Sequence, residues 1–138
     1  MLKRLRDQRG FTLIELLVVM TIIAILAVAM SVAFLRTSQS ARDTSRKADV
    51  RNLSTKAEEY FKDKGAYPAD LASLTTGGYL NTLPTDPKTK ANYTYTPTPA
   101  GCTTACTGFT TSATLENTND SGSGVDPVTH VFSITNAQ

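Results

Sequence analysis

The sequence predicts an α+β fold, in which the second half of one long N-terminal helix packs on a small antiparallel β-sheet. Two observations predict this fold. An apolar run over residues 11–35 continues into a polar stretch without Gly or Pro that ends at Lys64. After Gly65 the chain becomes rich in threonine, with 17 Thr between residues 75 and 135, as short strands joined by turns require. The length of 138 residues allows one domain with one appended element.

The apolar run is long enough to cross a membrane. Its 25 residues contain one charge, Glu15, and no Gly or Pro, whereas about 20 apolar residues span a bilayer core. It is too long for the h-region of a cleaved secretory signal, so we expect it to remain in the mature protein. The net charge of +3 over residues 1–10 holds the N-terminus in the cytoplasm. A carboxylate in lipid is costly unless it has a partner, which makes Glu15 a candidate functional residue.

Beyond the run, residues 36–64 predict an amphipathic continuation of the same helix. A helix over residues 11–64 would be about 80 Å long. Gly65 and Pro68 mark its end. Apolar side chains recur every three or four residues, which predicts packing against the distal domain rather than a ligand site. These side chains are Val50, Leu53, Ala57, Tyr60 and Phe61.

Residues 65–138 predict a small head. Three strand candidates, residues 92–96, 108–116 and 130–135, alternate apolar and polar side chains, and hairpin or meander connections join them. A sheet of this size needs the helix to cover one face. The lone His130 is interpreted as structural or exposed rather than catalytic. We expect the crevice between helix and sheet to be filled by Leu71, Leu74, Tyr79 and Leu80.

Residues 9–16 read "RGFTLIEL", and this motif after a short basic leader resembles the class III signal of type IV prepilins and type II secretion pseudopilins. The resemblance implies that prepilin peptidase cuts between Gly10 and Phe11 and that Phe11 becomes N-methylated. Glu15 matches the glutamate at the fifth mature position, whose carboxylate would meet the Phe11 amine of a neighbouring copy. The chain then divides into a leader (1–10), a transmembrane and assembly helix (11–35), its amphipathic continuation (36–64) and the head (65–138).

The same resemblance implies partners and a location. The chain would form a helical homo-oligomeric filament with the help of a prepilin peptidase, a cytoplasmic assembly ATPase and an inner-membrane platform protein. Its precursor would cross the inner membrane once, with a cytoplasmic N-terminus and the head outside, before entering an extracellular or periplasmic filament. Many relatives carry proline at the twenty-second mature position. Val32 stands there in this chain, so a proline-driven helix break is not available.

The two cysteines, Cys102 and Cys106, are spaced as C-x3-C. One such pair with a single His in the chain is poor zinc-binding material, because a structural zinc needs four ligands. In an exported protein the pair predicts a disulfide, and the alternative is two free cysteines in a loop.

A loop over residues 117–126 concentrates side-chain oxygens, which calcium prefers. Major pseudopilins, by resemblance, bind calcium in the corresponding C-terminal loop. The spacing does not match an EF-hand, however, and a solvated turn uses the same residue types. The candidate ligands are Asn117, Asn119, Asp120, Ser123 and Asp126.

Charge and motifs limit the function classes. Residues 36–64 hold eight basic and five acidic side chains, and residues 65–138 hold two and five, which predicts electrostatic pairing between copies. The sequence has no basic stretch with interleaved aromatic residues, which nucleic-acid binding would favour, and it has no motif typical of an enzyme.

The predicted function is a structural subunit of a type IV pilus. The alternatives are a major pseudopilin of type II secretion or a monomeric membrane-anchored binding domain, which would not be cut after Gly10.

Overall fold

A computed structural model describes residues 10–137. The elements are α1 (Leu13–Lys64), α2 (Ala72–Thr76), β1 (Thr94–Thr98), β2 (Gly108–Thr114) and β3 (Val131–Ala137). Contacts divide the chain after Thr37 into an N-terminal unit and a head unit, to which α1 contributes its first and second parts respectively. The α+β fold class with one long N-terminal helix and a three-stranded antiparallel sheet is confirmed.

In the N-terminal unit, α1 is regular and apolar. Its few hydroxyl side chains donate to backbone carbonyls one turn earlier, as Thr21 does to Val18 O at 2.7 Å and Ser31 to Ala27 O at 2.9 Å. These bonds satisfy the hydroxyl groups within the helix itself, which an apolar environment requires.

In the head unit, α1 ends where the sequence predicted. Gly65 has a φ of 74°, and its N–H donates to Phe61 O at 2.8 Å. This left-handed conformation is the helix stop that glycine provides at no steric cost.

The sheet is an antiparallel meander in the order β1-β2-β3. Thr94 pairs with Ser112 across β1 and β2, and Ser112 pairs with Ser133 of β3. The strands differ from the predicted ranges by up to two residues at either end. β1 begins at Thr94 rather than at residue 92 and includes Pro97, which an edge strand tolerates because that side of the ladder needs no donor.

The core lies between α1 and the inner face of the sheet, in two clusters. Val50 and Leu53 of α1 are fully buried against the sheet residue Phe132 and against the predicted crevice residues Leu71 and Leu74, whose role is thereby confirmed. The second cluster is aromatic, and its buried and flanking members include Ala57, Phe61, Tyr67, Tyr95, Cys106 and Phe109.

Two turns in the head have the same conformation and hydrogen bonds, which the sequence analysis did not predict. The segments "DPKTK" from Asp86 and "DPVTH" from Asp126 each place the Asp Oδ1 on the N–H groups of the third and fourth residues. The fifth residue, Lys90 or His130, has a φ of 59° or 55° and donates its N–H to the Asp carbonyl at 2.9 Å. His130 therefore lies in a turn, and β3 starts one residue later than predicted.

Candidate functional site

The N-terminal end of α1 carries the motif that the sequence singled out. Gly10 and Phe11 lie before the helix, both exposed, and a Cβ built on Gly10 would meet nothing within 4 Å. The bond between them therefore lies in exposed chain that precedes the helix.

Glu15 closes a capping box with Thr12. Its Oε2 accepts from the Thr12 N–H and from Thr12 Oγ1, both at 2.9 Å, while the Glu15 N–H donates to Thr12 Oγ1 at 3.2 Å. These reciprocal bonds satisfy N–H groups that the first turn of a helix leaves without partners. Glu15 therefore also helps to cap the N-terminal turn of α1.

Thr12 is a functional residue that the sequence reasoning missed. The signal was present, because T-x-x-E directly before an apolar run is the sequence pattern of a capping box.

The first part of α1 exposes an apolar surface. Every side chain described between residues 11 and 37 is exposed, and this includes large ones such as Ile14 at 69% and Phe34 at 73%. Among the described residues, one helix, α1, is long and apolar enough to cross a membrane. A surface this apolar requires lipid or other apolar helices around it.

In the head unit, a buried charge cluster fastens α1 to two loops. Arg46, only 3% exposed, donates to Asp43 at 2.7 Å and to Asp86 Oδ2 at 2.6 Å. It also forms an ion pair with Glu116 Oε1 at 2.8 Å. Arg42 adds a two-pronged bond to Glu116, with both distances 2.8 Å. Planar guanidinium groups suit such paired contacts with carboxylates.

The cluster changes the titration of its members. Hydrogen bonds from Arg46 hold the pKa of Asp86 well below its usual range, and those from Arg42, followed by Lys88 and Arg46, do the same for the pKa of Glu116. The hydrogen bond from Arg46 to Asp86 also leads the rise of the Arg46 pKa above its ordinary value. Asp86, Glu116 and Arg46 are therefore charged at neutral pH.

This cluster bears on the charge asymmetry. Within one copy, the structure pairs basic residues of α1 with acidic distal residues, as Arg46 with Asp86, Arg42 with Glu116 and Lys47 with Asp120. The pairing is intramolecular because the head folds back on the same helix that carries the cations. Pairing between copies stays a prediction.

Three of the five candidate calcium ligands have an oxygen that binds another group of the chain. Asn117 Oδ1 accepts from the Asn119 N–H at 3.1 Å, Asp120 Oδ2 accepts from Lys47 at 2.5 Å, and Asp126 Oδ1 caps its own turn. Among the residues from 10 to 137, no three His, Cys, Asp or Glu side chains form a group that could hold a metal. A calcium ion, which needs six or more oxygens, would have to displace these bonds, and calcium binding by the loop stays a prediction.

The cysteine loop lies beside the aromatic cluster. Cys102 and Cys106 are joined by a disulfide, and Cys106 is 2% exposed. The Cys106 carbonyl accepts the Tyr67 N–H at 2.9 Å, so the bridged loop is connected to the segment that follows α1.

Comparisons with known proteins agree with the motif. Residues 5–31 match a family model described as a prokaryotic N-terminal methylation motif. The chain is 34% identical over 98 residues to the type II secretion system core protein G of Pseudomonas aeruginosa, covering 59% of this chain and 69% of that protein.

Two further relatives come from other systems. Competence protein ComGC of Halalkalibacterium halodurans is 32% identical over 80 residues, 58% of this chain and 78% of that protein. Fimbrial protein EcpC of Eikenella corrodens is 33% identical over 85 residues, 55% of this chain and 53% of that protein. No solved structure matches the chain significantly. The chain carries the methylation motif and has one long helix with a small antiparallel sheet, and it covers more than two thirds of core protein G and of ComGC. The chain therefore belongs to the type IV pilin and pseudopilin family.

Proposed function

We propose that the chain is a structural subunit that polymerises through the first part of α1 into a filament of the cell envelope. The observation that carries this proposal is the exposed apolar surface over residues 13–35, which begins at a charged cap, Glu15. Lipid covers this surface in the membrane-anchored precursor, and the same helices of other copies cover it in the filament. No catalytic activity is proposed, since the names of the relatives are those of secretion, competence and fimbrial proteins.

Processing creates the assembly-competent subunit. In this proposal prepilin peptidase removes residues 1–10 and methylates Phe11, and the exposed, non-helical Gly10 supports cleavage at this bond. Mass spectrometry of the mature N-terminus tests it. A methylated Phe11 is the expected terminus, and an intact Met1 would instead favour a monomeric membrane-anchored binding domain.

After the cut, the cationic amine of Phe11 can meet the Glu15 carboxylate of a neighbouring copy. A buried carboxylate is tolerable when it is paired with an opposite charge, so the pair would favour correct register over incorrect register. The capping box complicates this role, because Glu15 also binds Thr12 in its own chain.

Two substitutions separate the charge from the cap. Glu15→Gln keeps an acceptor for the capping box but removes the charge, while Thr12→Ala removes the cap and keeps the charge. If pairing drives assembly, Glu15→Gln abolishes the filaments recovered by shearing, and Thr12→Ala retains them. The opposite pattern would show that Glu15 acts through helix capping alone.

The kind of filament follows from two different observations. We propose a type IV pilus, supported by a C-terminal loop in which Asp120 pairs with Lys47 of α1. The second candidate is the major pseudopilin of a type II secretion system, favoured by the similarity to core protein G. Electron microscopy of sheared surface fractions distinguishes them, because long surface fibres support a pilus and their absence, with filaments confined to the periplasm, supports a pseudopilus.

Location and machinery complete the proposal. The precursor would cross the inner membrane once, with the basic residues 1–10 in the cytoplasm and the head outside. A cytoplasmic assembly ATPase and an inner-membrane platform protein would then extract it into an extracellular or periplasmic filament. Fusing alkaline phosphatase after residue 138 tests this orientation, because the enzyme is active only outside the cytoplasm.

A further inference from the structure

The loop that joins β2 to β3 is fastened to α1 by Lys47. The Lys47 Nζ donates to Asp120 Oδ2 at 2.5 Å, and the two side chains are only 18% and 21% exposed. The same ammonium lies 5.8 Å from the centroid of the Phe132 ring. The cation is thus held between a carboxylate and the face of an aromatic ring, both of which favour positive charge.

The loop backbone is shaped closely around this cation. The Gly122 N–H donates to Asp120 Oδ1 at 3.0 Å. A Cβ at Gly122 would lie 3.1 Å from that oxygen and 3.5 Å from Lys47 Nζ. The turn therefore brings main chain into contact with the ion pair at a residue that has no side chain. The hydrogen bond from Lys47 also lowers the pKa of Asp120, which stays ionised at neutral pH.

We propose that the Lys47 ammonium takes the structural role that calcium has in pseudopilins, so that this loop closes without a metal ion. One internal cation neutralises Asp120, the acid at the centre of the loop. A calcium ion would have to displace Lys47 and collect oxygens such as Asn117 Oδ1 and Asp126 Oδ1 that now bind backbone amides. The proposal concerns the fold of the head and holds whether or not the chain forms a pilus.

The experiment uses the full-length chain, purified in detergent. Thermal unfolding followed by circular dichroism and hydrogen exchange over residues 117–125 are measured in millimolar CaCl2 and in excess EGTA. For the wild type we expect the same Tm and the same exchange in both solutions, because no ligand set is available to the metal.

Substituting the lysine provides the second arm. Lys47→Met should lower Tm by roughly 5 °C and accelerate exchange in the loop, with no recovery in calcium, while Lys47→Arg keeps the loop protected. Lys56→Met is the matched control. Lys56 also pairs with an acid, Glu59 at 2.7 Å, but on the more exposed surface of the same helix, where such pairs contribute little.

Two results would overturn the proposal. One is a rise in the wild-type Tm, or slower exchange in the loop, when calcium replaces EGTA. The other is a Lys47→Met chain whose loop exchanges no faster than that of Lys56→Met. If Lys47→Met does not fold, Asp120→Asn is measured instead, and protection in its loop equal to that of the wild type likewise contradicts the proposal. Filament assembly enters neither measurement, so failure of the proposed function leaves this test unaffected.

Discussion

Replacing Arg46 by methionine should be among the most destabilising single changes in the head. Arg46 is buried and binds Asp43, Asp86 and Glu116 at 2.6–2.8 Å. Removing one partner from a buried charge cluster typically costs about 3–5 kcal/mol. Here each carboxylate keeps other donors, for example Arg42 on Glu116, which places the expected loss at about 3 kcal/mol. A domain stable by about 5–15 kcal/mol survives this loss, so the variant can be measured.

The loss should depend on pH with a definite sign. Hydrogen bonds hold the pKa values of Asp86 and Glu116 below those of an unfolded chain. Such groups stabilise the fold fully above their unfolded pKa, near pH 4, and this contribution is lost as the pH falls toward the folded values. The difference between wild type and Arg46→Met is therefore largest at neutral pH and shrinks below about pH 4.

Urea unfolding of the full chain at about pH 7 and about pH 3 measures both effects as differences in the free energy of unfolding. Arg51→Met is the control on the same helix. Its guanidinium lies 5.4 Å from the Phe132 ring centroid, a contact worth about 0.5–1 kcal/mol. The reasoning is refuted if Arg46→Met costs no more than Arg51→Met, or if its cost is the same at both pH values.

Two further substitutions test the loops. Gly124→Ala should lower the free energy of unfolding by about 3 kcal/mol, because φ is 83° and a Cβ would lie 2.9 Å from Phe132 Cε2. The control Gly78→Ala has φ at 79° and nothing within 4 Å of the added Cβ, so it should cost only about 1 kcal/mol. Equal losses of free energy in urea unfolding would contradict the steric argument. Replacing both Cys102 and Cys106 by serine opens a very short loop and should lower the free energy of unfolding by about 2 kcal/mol. Reducing the wild type with dithiothreitol should lower its urea midpoint as much as the double substitution does. No shift would show that the bridge does not stabilise the fold.

Local rules explain why much of the fold could be predicted from the sequence. The start of α1 follows from an apolar run, its end from Gly65, and the buried face from apolar residues such as Val50 and Leu53 at helical spacing. Each of these signals acts over one or two turns of chain, where sequence distance and spatial distance are nearly the same. The strands were located for the same reason, although the turn that starts at Asp126 includes His130 and moves the start of β3 by one residue.

The site was less predictable, because its partners are far apart in the sequence. The sequence gives the charges of Arg46 and Glu116, but it does not show that these residues, 70 positions apart, meet within one copy. Lys47 was likewise an ordinary helix lysine until the fold placed Asp120 opposite it. Thr12 is different, since its capping box is local and could have been predicted.

The second part of α1 uses one continuous stripe for two kinds of attachment. The stripe begins with Asp43, Arg46 and Lys47, which bind loop carboxylates and loop amides, and continues at the same helical spacing with apolar Val50 and Leu53. The change of chemistry follows what lies opposite. The loops present acids and backbone N–H groups that need polar or charged partners, whereas the sheet presents an apolar face. The charged part of the stripe therefore attaches α1 to the loops, and the apolar part attaches it to the sheet.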